Sequence, residues 1–421
     1  MRQRLETLIE RLIRASILER VAISIAALFA SILVGGVLVF VSGAFASCQT
    51  GLNLAGWTFC YNPVQVYYEL FLGALGHPLE GGWSPGNHRL ATTLQQTTLL
   101  IFTGLSFAVA YRAGLFNIGT QGQLVVGGLA TAVTVVYASL VVPSGVVGTV
   151  VLIPIGVLAG AVAGGFFGAI PGALKAYADA NEVITTIMLN FVALGITSTL
   201  LSWQFQDPDS ANPQTERVPA YAEIPNIPLV GFSSRANFSL LALAFAVAFM
   251  IGIAWLLART SFGYELRTSG VQPEAAAYSG VDEKRMIVTS MTLSGALGGI
   301  GGALWVLMQH GRWLESVPPL GFDGIAVSIL AANNPLGIGA SAFLFGVLDS
   351  GSSAIGTATA VPPELVGILS GLIILFVAMP EFFRMIGTRY VDVSSSDPVR
   401  ADGGEPADDG ATADDGGECN D

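Results

Sequence analysis

The sequence predicts an all-α, polytopic bundle of transmembrane helices with about 8–10 crossings, some of them broken or re-entrant. Three observations carry that prediction. Apolar residues make up 52% of the chain and charged residues 11%, with a mean hydropathy of +0.65, a balance suited to lipid as solvent. Nine stretches approach the roughly 20 apolar residues a crossing needs, near 21–46, 92–111, 114–142, 146–170, 183–204, 237–258, 286–309, 322–349 and 363–380. The basic residues, finally, sort to alternate connections. Placing the leader, Arg112, Lys175, the 259–285 region and the C-terminal flank on the cytoplasmic side gathers 14 of the 18 Lys and Arg there, leaving Arg89, Arg217, Arg235 and Arg312 outside.

Residues 1–20 (ending RASILER) put Leu5, Leu8, Ile9, Leu12 and Ile13 at helical spacing with charges opposite, as expected of a cytoplasmic amphipathic helix on the inner leaflet. The first apolar stretch is too long for a signal-peptide core and no small-residue cleavage site follows it. The membrane body spans 21–390. In its first external loop, Cys48 and Cys60 face the oxidising side and could bridge, while Cys419 lies in the tail. Both termini on the cytoplasmic side require an even number of crossings. Nine segments therefore imply that one splits or doubles back, and 322–349, interrupted by Asn333-Asn334-Pro335, is the candidate. Residues 391–421 hold ten acidic residues against Arg400 and no apolar face, as expected of a disordered cytoplasmic tail. Two lysines against 16 arginines, with that acidic tail, point to a prokaryotic proteome solvated in salt.

Several function classes are excluded by what is missing. Neither Lys175 nor Lys284 follows a glycine as a phosphate-cradling loop requires. The three histidines, His77, His88 and His310, read as solvated loop or span-edge residues, without a catalytic partner. No Cys/His cluster has metal-ligand spacing. The chain is expected to be neither an enzyme nor a metalloprotein. Asp323 and Glu182 sit at segment edges, so the span centres read as nearly uncharged, which disfavours an ion-coupled secondary carrier or facilitator for a neutral polar solute. That carrier is the alternative reading.

Polar groups do enter the apolar segments. The stretch YRAGLFNIGTQGQLVVGG (111–128) carries Asn117, Gln121 and Gln123 beside Phe116 and predicts a broken or unwound helix entry lining a pathway. GFDGIAVSILAANNPLG (321–337) brings Asp323, Asn333 and Asn334 to a helix-breaking Pro335, and NEVITTIMLN (181–190) adds Asn190. These are the translocation-pathway candidates. Taken singly, each amide or hydroxyl reads first as an interhelical hydrogen bond. Gly160, Gly164, Gly168 and Gly172, with Gly295 and Gly299 and with Gly298 and Gly302, recur every fourth position and predict close helix packing.

Between two spans lies RTSFGYELRTSGVQPEAAAYSGVDEK (259–284), charged and rich in helix formers. Its Glu274-Ala275-Ala276-x-x-x-Gly280 spacing, with YRAGLFNIGTQGQ, NEVITTIMLN, SGALGGIGGAL and GFDGIAVSILAANNPLG in that chain, resembles the permeases of ABC importers for branched-chain amino acids, ribose-type sugars and nucleosides, closest to the nucleoside or simple-sugar branch. The resemblance covers roughly residues 90–380. It implies a permease domain over 21–390 whose 259–284 loop forms a cytoplasmic coupling helix, with Glu274, Ala275, Ala276 and Gly280 in the groove of an ABC ATPase subunit. It also implies a second related permease chain or a homodimer, an extracytoplasmic solute-binding protein, plasma-membrane location, and ATP with Mg on the ATPase rather than any cofactor on this chain. No nucleic acid is implied. One departure stands out: the branch has an acidic residue in Glu-Gly-Gln where this chain has Gln121-Gly122-Gln123.

Overall fold

A computed structural model describes residues 17–46, 52–54, 57–81, 87–226, 237–359 and 361–390. The 1–20 helix, apart from its last residues, and the 391–421 tail lie outside the described residues, as do Cys48 and Cys419. The predicted all-α bundle is what forms. Its elements are α1 (Ile17–Ala44), a hairpin of β1 (Leu52–Leu54) and β2 (Trp57–Phe59), α2 (Pro63–Tyr68), α3 (His88–Arg112), α4 (Thr120–Ala138), α5 (Val146–Ala178), α6 (Glu182–Leu200), α7 (Leu240–Arg259), α8 (Ser261–Val271), α9 (Pro273–Tyr278), α10 (Glu283–Leu304), α11 (Leu320–Leu330), α12 (Ile338–Ala358) and α13 (Pro363–Tyr390). Among the described residues eight helices are long and apolar enough to cross a membrane, and α11 with the apolar part of α13 adds two shorter ones. The segment 322–349 is indeed split, into α11 and α12.

Local chemistry sets the ends. Asn87, Asn181 and Asp282 cap α3, α6 and α10 by accepting the first free backbone N–H groups. In the first loop, sequence reasoning missed α2: Asn62 accepts the N–H of Val64, and Pro63 opens the first turn. Its π-helical continuation, Glu69–Gly73, packs on α12. The hairpin pairs Leu52 with Phe59 and Leu54 with Trp57, and Phe59 stacks on Phe40 of α1 at 4.0 Å. Cys60 is disulfide-bonded; Cys48, its expected partner, is outside the described residues.

The bundle is built around α3 and α10, its most deeply buried crossings. The glycine ladder explains how their neighbours approach. A Cβ on Gly299 would collide with the carbonyl oxygen of Gly160, one on Gly164 with that of Gly295, and one on Gly127 would come within 2.5 Å of the Gly299 Cα. Backbones of α4, α5 and α10 therefore touch directly, gaining dispersion contacts that lipid cannot offer. Residues 104 and 338, and likewise 97 and 346, lie opposite each other on α3 and α12. Those two helices are antiparallel, while Ser106 and Thr120, and Arg112 and Asn333, place the starts of α4 and the end of α11 beside α3. Crossing directions alternate, so the start of α1 and the end of α13 fall at the end of the bundle that carries α8 and α9.

Gly299→Ala should lower the unfolding free energy by about 1–3 kcal/mol, because the new methyl group meets backbone. Gly195→Ala, with nothing within 4 Å of its Cβ, should leave the thermal midpoint in detergent unchanged. Equal midpoints for the two variants would contradict the packing account.

Candidate functional site

Two helices begin inside the bundle rather than at its surface. After Arg112, α3 ends in a Schellman turn: Leu115 N–H donates to the Ala110 carbonyl and Gly114 N–H to that of Tyr111, both at 3.0 Å, with Gly114 left-handed at φ +76°. Residues 113–119 then rise unwound to Gly119, and α4 starts at Thr120 beside Ser106, deep between α3 and α10. The break falls where the sequence places it, but α4 starts six residues later than the apolar run suggests, because that run continues through the loop.

The buried polar side chains around this break have partners. Asn117 Oδ1 accepts from Gly119 N–H at 3.0 Å, and its Nδ2 donates to Gln123 Oε1 at 2.9 Å and Ser294 Oγ at 2.7 Å. Ser294 Oγ donates in turn to the Ser106 carbonyl. Asn190 reaches across from α6, accepting the Gly122 N–H at 2.8 Å and donating to the Ile118 carbonyl at 3.0 Å. Thr186 accepts the Ile118 N–H. Asn117, Gln123 and Asn190 are all buried. The structure thus gathers these three with Gln121 into one node, and in this conformation they serve as interhelical bonds.

Gln121 explains the departure from the acidic pattern. Its Nε2 donates to the Pro318 carbonyl at 3.0 Å and its Oε1 accepts the Gly321 N–H at 2.7 Å. The two partners fix which end of the amide is which. They also tie the start of α11 to the start of α4. A carboxylate has no donor for Pro318 and would set two oxygens against each other.

The other candidates lie around this node. Phe116 packs against Phe107 at 5.1 Å and Tyr111 at 5.8 Å, part of a ring cluster at the end of α3. Asp323, half-buried, sits in the first turn of α11. Asn333 closes the turn between α11 and α12: its Oδ1 accepts from Ser328 Oγ at 2.9 Å and its carbonyl from Arg112 Nε at 3.1 Å. Ala332 and Asn333 are both left-handed, at φ +52° and +54°, a conformation that disfavours residues bearing a Cβ. Asn334 is exposed; its side chain accepts the Leu336 N–H, and its carbonyl accepts those of Gly337 and Ile338.

Two readings are corrected. Asp349, expected at the end of a segment, lies inside α12 with its side chain exposed, level with the first turns of α3. Sequence reasoning ended that segment at 349, whereas the helix runs to Ala358; continuing the apolar-and-small pattern through GSSAIGTA would have found it. Nor are His77 and His310 simply solvated: His77 stands 3.5 Å from Glu69 and stacks on Tyr68, and His310 lies 4.6 Å from the Trp305 ring.

Between α7 and α10, the 259–284 stretch folds into α8 and α9. Ala276 is 0% exposed and turned inward, whereas Glu274, Ala275 and Gly280 are exposed. A second Schellman turn closes α9, with Val281 N–H on the Ala276 carbonyl and Gly280 at φ +82°. The outward face adds Val271 at 80% and Tyr278 at 95% exposure, apolar groups that no spacing argument had singled out.

A many-helix membrane bundle with helix starts meeting in its interior is an architecture common among transport permeases. Residues 89–378 match the family described as the permease component of the branched-chain amino acid transport system. The chain is 32% identical over 350 residues to the nucleoside ABC transporter permease protein NupB of Lactococcus lactis, covering 82% of this chain and 92% of that one. It is 34% identical over 299 residues to the guanosine ABC transporter permease protein NupP of Bacillus subtilis (70% and 82%). It is 32% identical over 353 residues to the glucose ABC transporter permease protein TsgB13 of Haloferax volcanii (82% and 88%). The chain belongs to this permease family, and it is a multi-pass membrane protein.

Gln121→Glu should destabilise the folded chain by about 1–3 kcal/mol at neutral pH, measured as a fall in thermal midpoint that acidification reduces. A midpoint equal to wild type would show that the two Gln121 bonds carry no weight.

Proposed function

We propose that the chain is the permease subunit of an ATP-driven importer for nucleosides or simple sugars. The relatives named for nucleoside, guanosine and glucose transport support that solute class. The observation that carries the rest is the exposed face of α8 and α9, where Glu274, Ala275, Val271 and Tyr278 stand clear at the end to which both described chain ends return. A charged and apolar knob of this kind fits a soluble partner. In this reading the knob is cytoplasmic, as the distribution of Lys and Arg favours, and it docks on a separate ATPase that holds ATP and Mg. Glu274 pairs with a basic groove residue, and Gly280 supplies the turn that returns the chain to α10. A second permease chain and an external solute-binding protein complete the importer.

The pathway roles divide accordingly. Asn117, Gln121, Gln123 and Asn190 hold the mid-bundle starts of α4 and α11, with Phe116 and Asn333 packing their ends. Asp323, Asn334 and the newly found Asp349 keep polar capacity for a solute rich in hydroxyl and N–H donors. Asp349 is also the observation that favours an ion-coupled carrier, since a carboxylate within a crossing costs about 2.5–3.5 kcal/mol on insertion scales.

Capture experiments decide the docking claim. Combining Glu274→Arg with Tyr278→Asp alters only exposed side chains, so membrane insertion should persist while recovery of the ATPase with the tagged permease falls about ten-fold. Undiminished recovery would reject this face as the docking site.

A further inference from the structure

We infer that the backbone contact between Gly270 and Gly114 is the joint through which displacement of α8 and α9 reaches the start of α4 and the turn between α11 and α12. The inference rests on the docking reading above and assigns a positioning role to two residues outside it. Helix α8 is seated at both ends by glycine on backbone. Near its start, a Cβ on Gly263 would lie 2.6 Å from the Leu257 Cα; near its finish, one on Gly270 would lie 2.6 Å from the Ala113 carbonyl carbon and 2.7 Å from both the Gly114 nitrogen and the Arg112 carbonyl oxygen. Reciprocally, a Cβ on Gly114 would lie 2.8 Å from the Gly270 carbonyl oxygen. Leu266 is fully buried between these seats.

Contacts of this kind transmit movement. A side chain can absorb a small displacement by rotating, but two backbones already touching cannot, so packed elements shift together. What Gly270 touches makes the shift consequential. One step along the chain, 113–119 leads to Asn117 and the node that fixes the start of α4. On the other side, Arg112 donates to the Asn333 carbonyl at 3.1 Å and so holds the turn in which Ala332 and Asn333 are left-handed. Strained turns held by surrounding structure are where two arrangements lie close in energy. The turn between α11 and α12 thus lies one hydrogen bond from Arg112, and the node at the start of α4 begins three residues along the chain from Gly114.

The test uses the complete importer in vesicles: this chain, its partner permease, the ATPase and the binding protein, with labelled guanosine and glucose as separate probes. Gly270→Ala should leave ATPase recovery at the wild-type level while solute taken up per ATP hydrolysed falls roughly ten-fold. Gly252→Ala, whose Cβ meets nothing within 4 Å, should match wild type in both. Unchanged uptake per ATP in Gly270→Ala would overturn the joint. Failure of wild-type permease to retain the ATPase would instead overturn the docking reading. Should the alanine variant not assemble, hydrogen exchange in the wild-type importer decides. Amides of 115–122 and 332–336 should change protection between the nucleotide-free and ATP-trapped states, and no change there would overturn the inference.

Discussion

A peptide N–H or C=O inside hydrocarbon has no water to turn to, so every interruption of a membrane helix must be closed by protein. This chain begins two helices in the interior, α4 after the unwound 113–119 and α11 at Leu320, and much of the surrounding architecture follows from closing those breaks. Amide side chains do the closing because each supplies one donor and one acceptor group. Asn190 meets a carbonyl and an N–H of the α4 entry, Gln121 meets one of each at the α11 entry, and Asn117 pairs with Gln123. An ionised carboxylate of similar size has no donor and would leave the carbonyl side unmatched.

The same requirement explains the glycines. Amides are short, and Asn117 can reach Ser294 at 2.7 Å only because α4 and α10 lie backbone to backbone. The ladder on α5 and α10 therefore does more than stabilise a bundle: it sets the spacing at which the polar node can be satisfied. The surface near Gly270 repeats the device at the end of the bundle, bringing a peripheral helix onto the turn that feeds the node.

Much of this was legible in the residues. Helix number, the split at Asn333-Asn334-Pro335 and the close approach at the glycine repeat all follow from patterns local to the chain, which hydropathy and spacing record. The family followed from motifs held in fixed order. Less legible was what depends on partners distant in sequence. Nothing in NEVITTIMLN says that Asn190 bonds to Ile118 and Gly122 rather than facing a pathway, since that is decided by how α6 lies on α4. Ala276 looked like part of a docking face by its spacing, yet three-dimensional packing turned it inward and exposed Tyr278 instead. The segment ending at 349 was cut short because small residues after it lower hydropathy without ending the helix. The short helix α2 rests on one cap and one proline, signals too local for a scan built on long apolar runs.

In the function proposed above, this chain is a gate worked by a motor on another chain. The most direct measurement of that function is uphill solute uptake in reconstituted vesicles, with and without the ATPase, in the presence and absence of ATP and of an imposed ion gradient. Accumulation is expected only when the ATPase and ATP are both present, with none from the permease chain alone under any ion gradient. Accumulation by the chain alone, driven by a proton or sodium gradient, would contradict it.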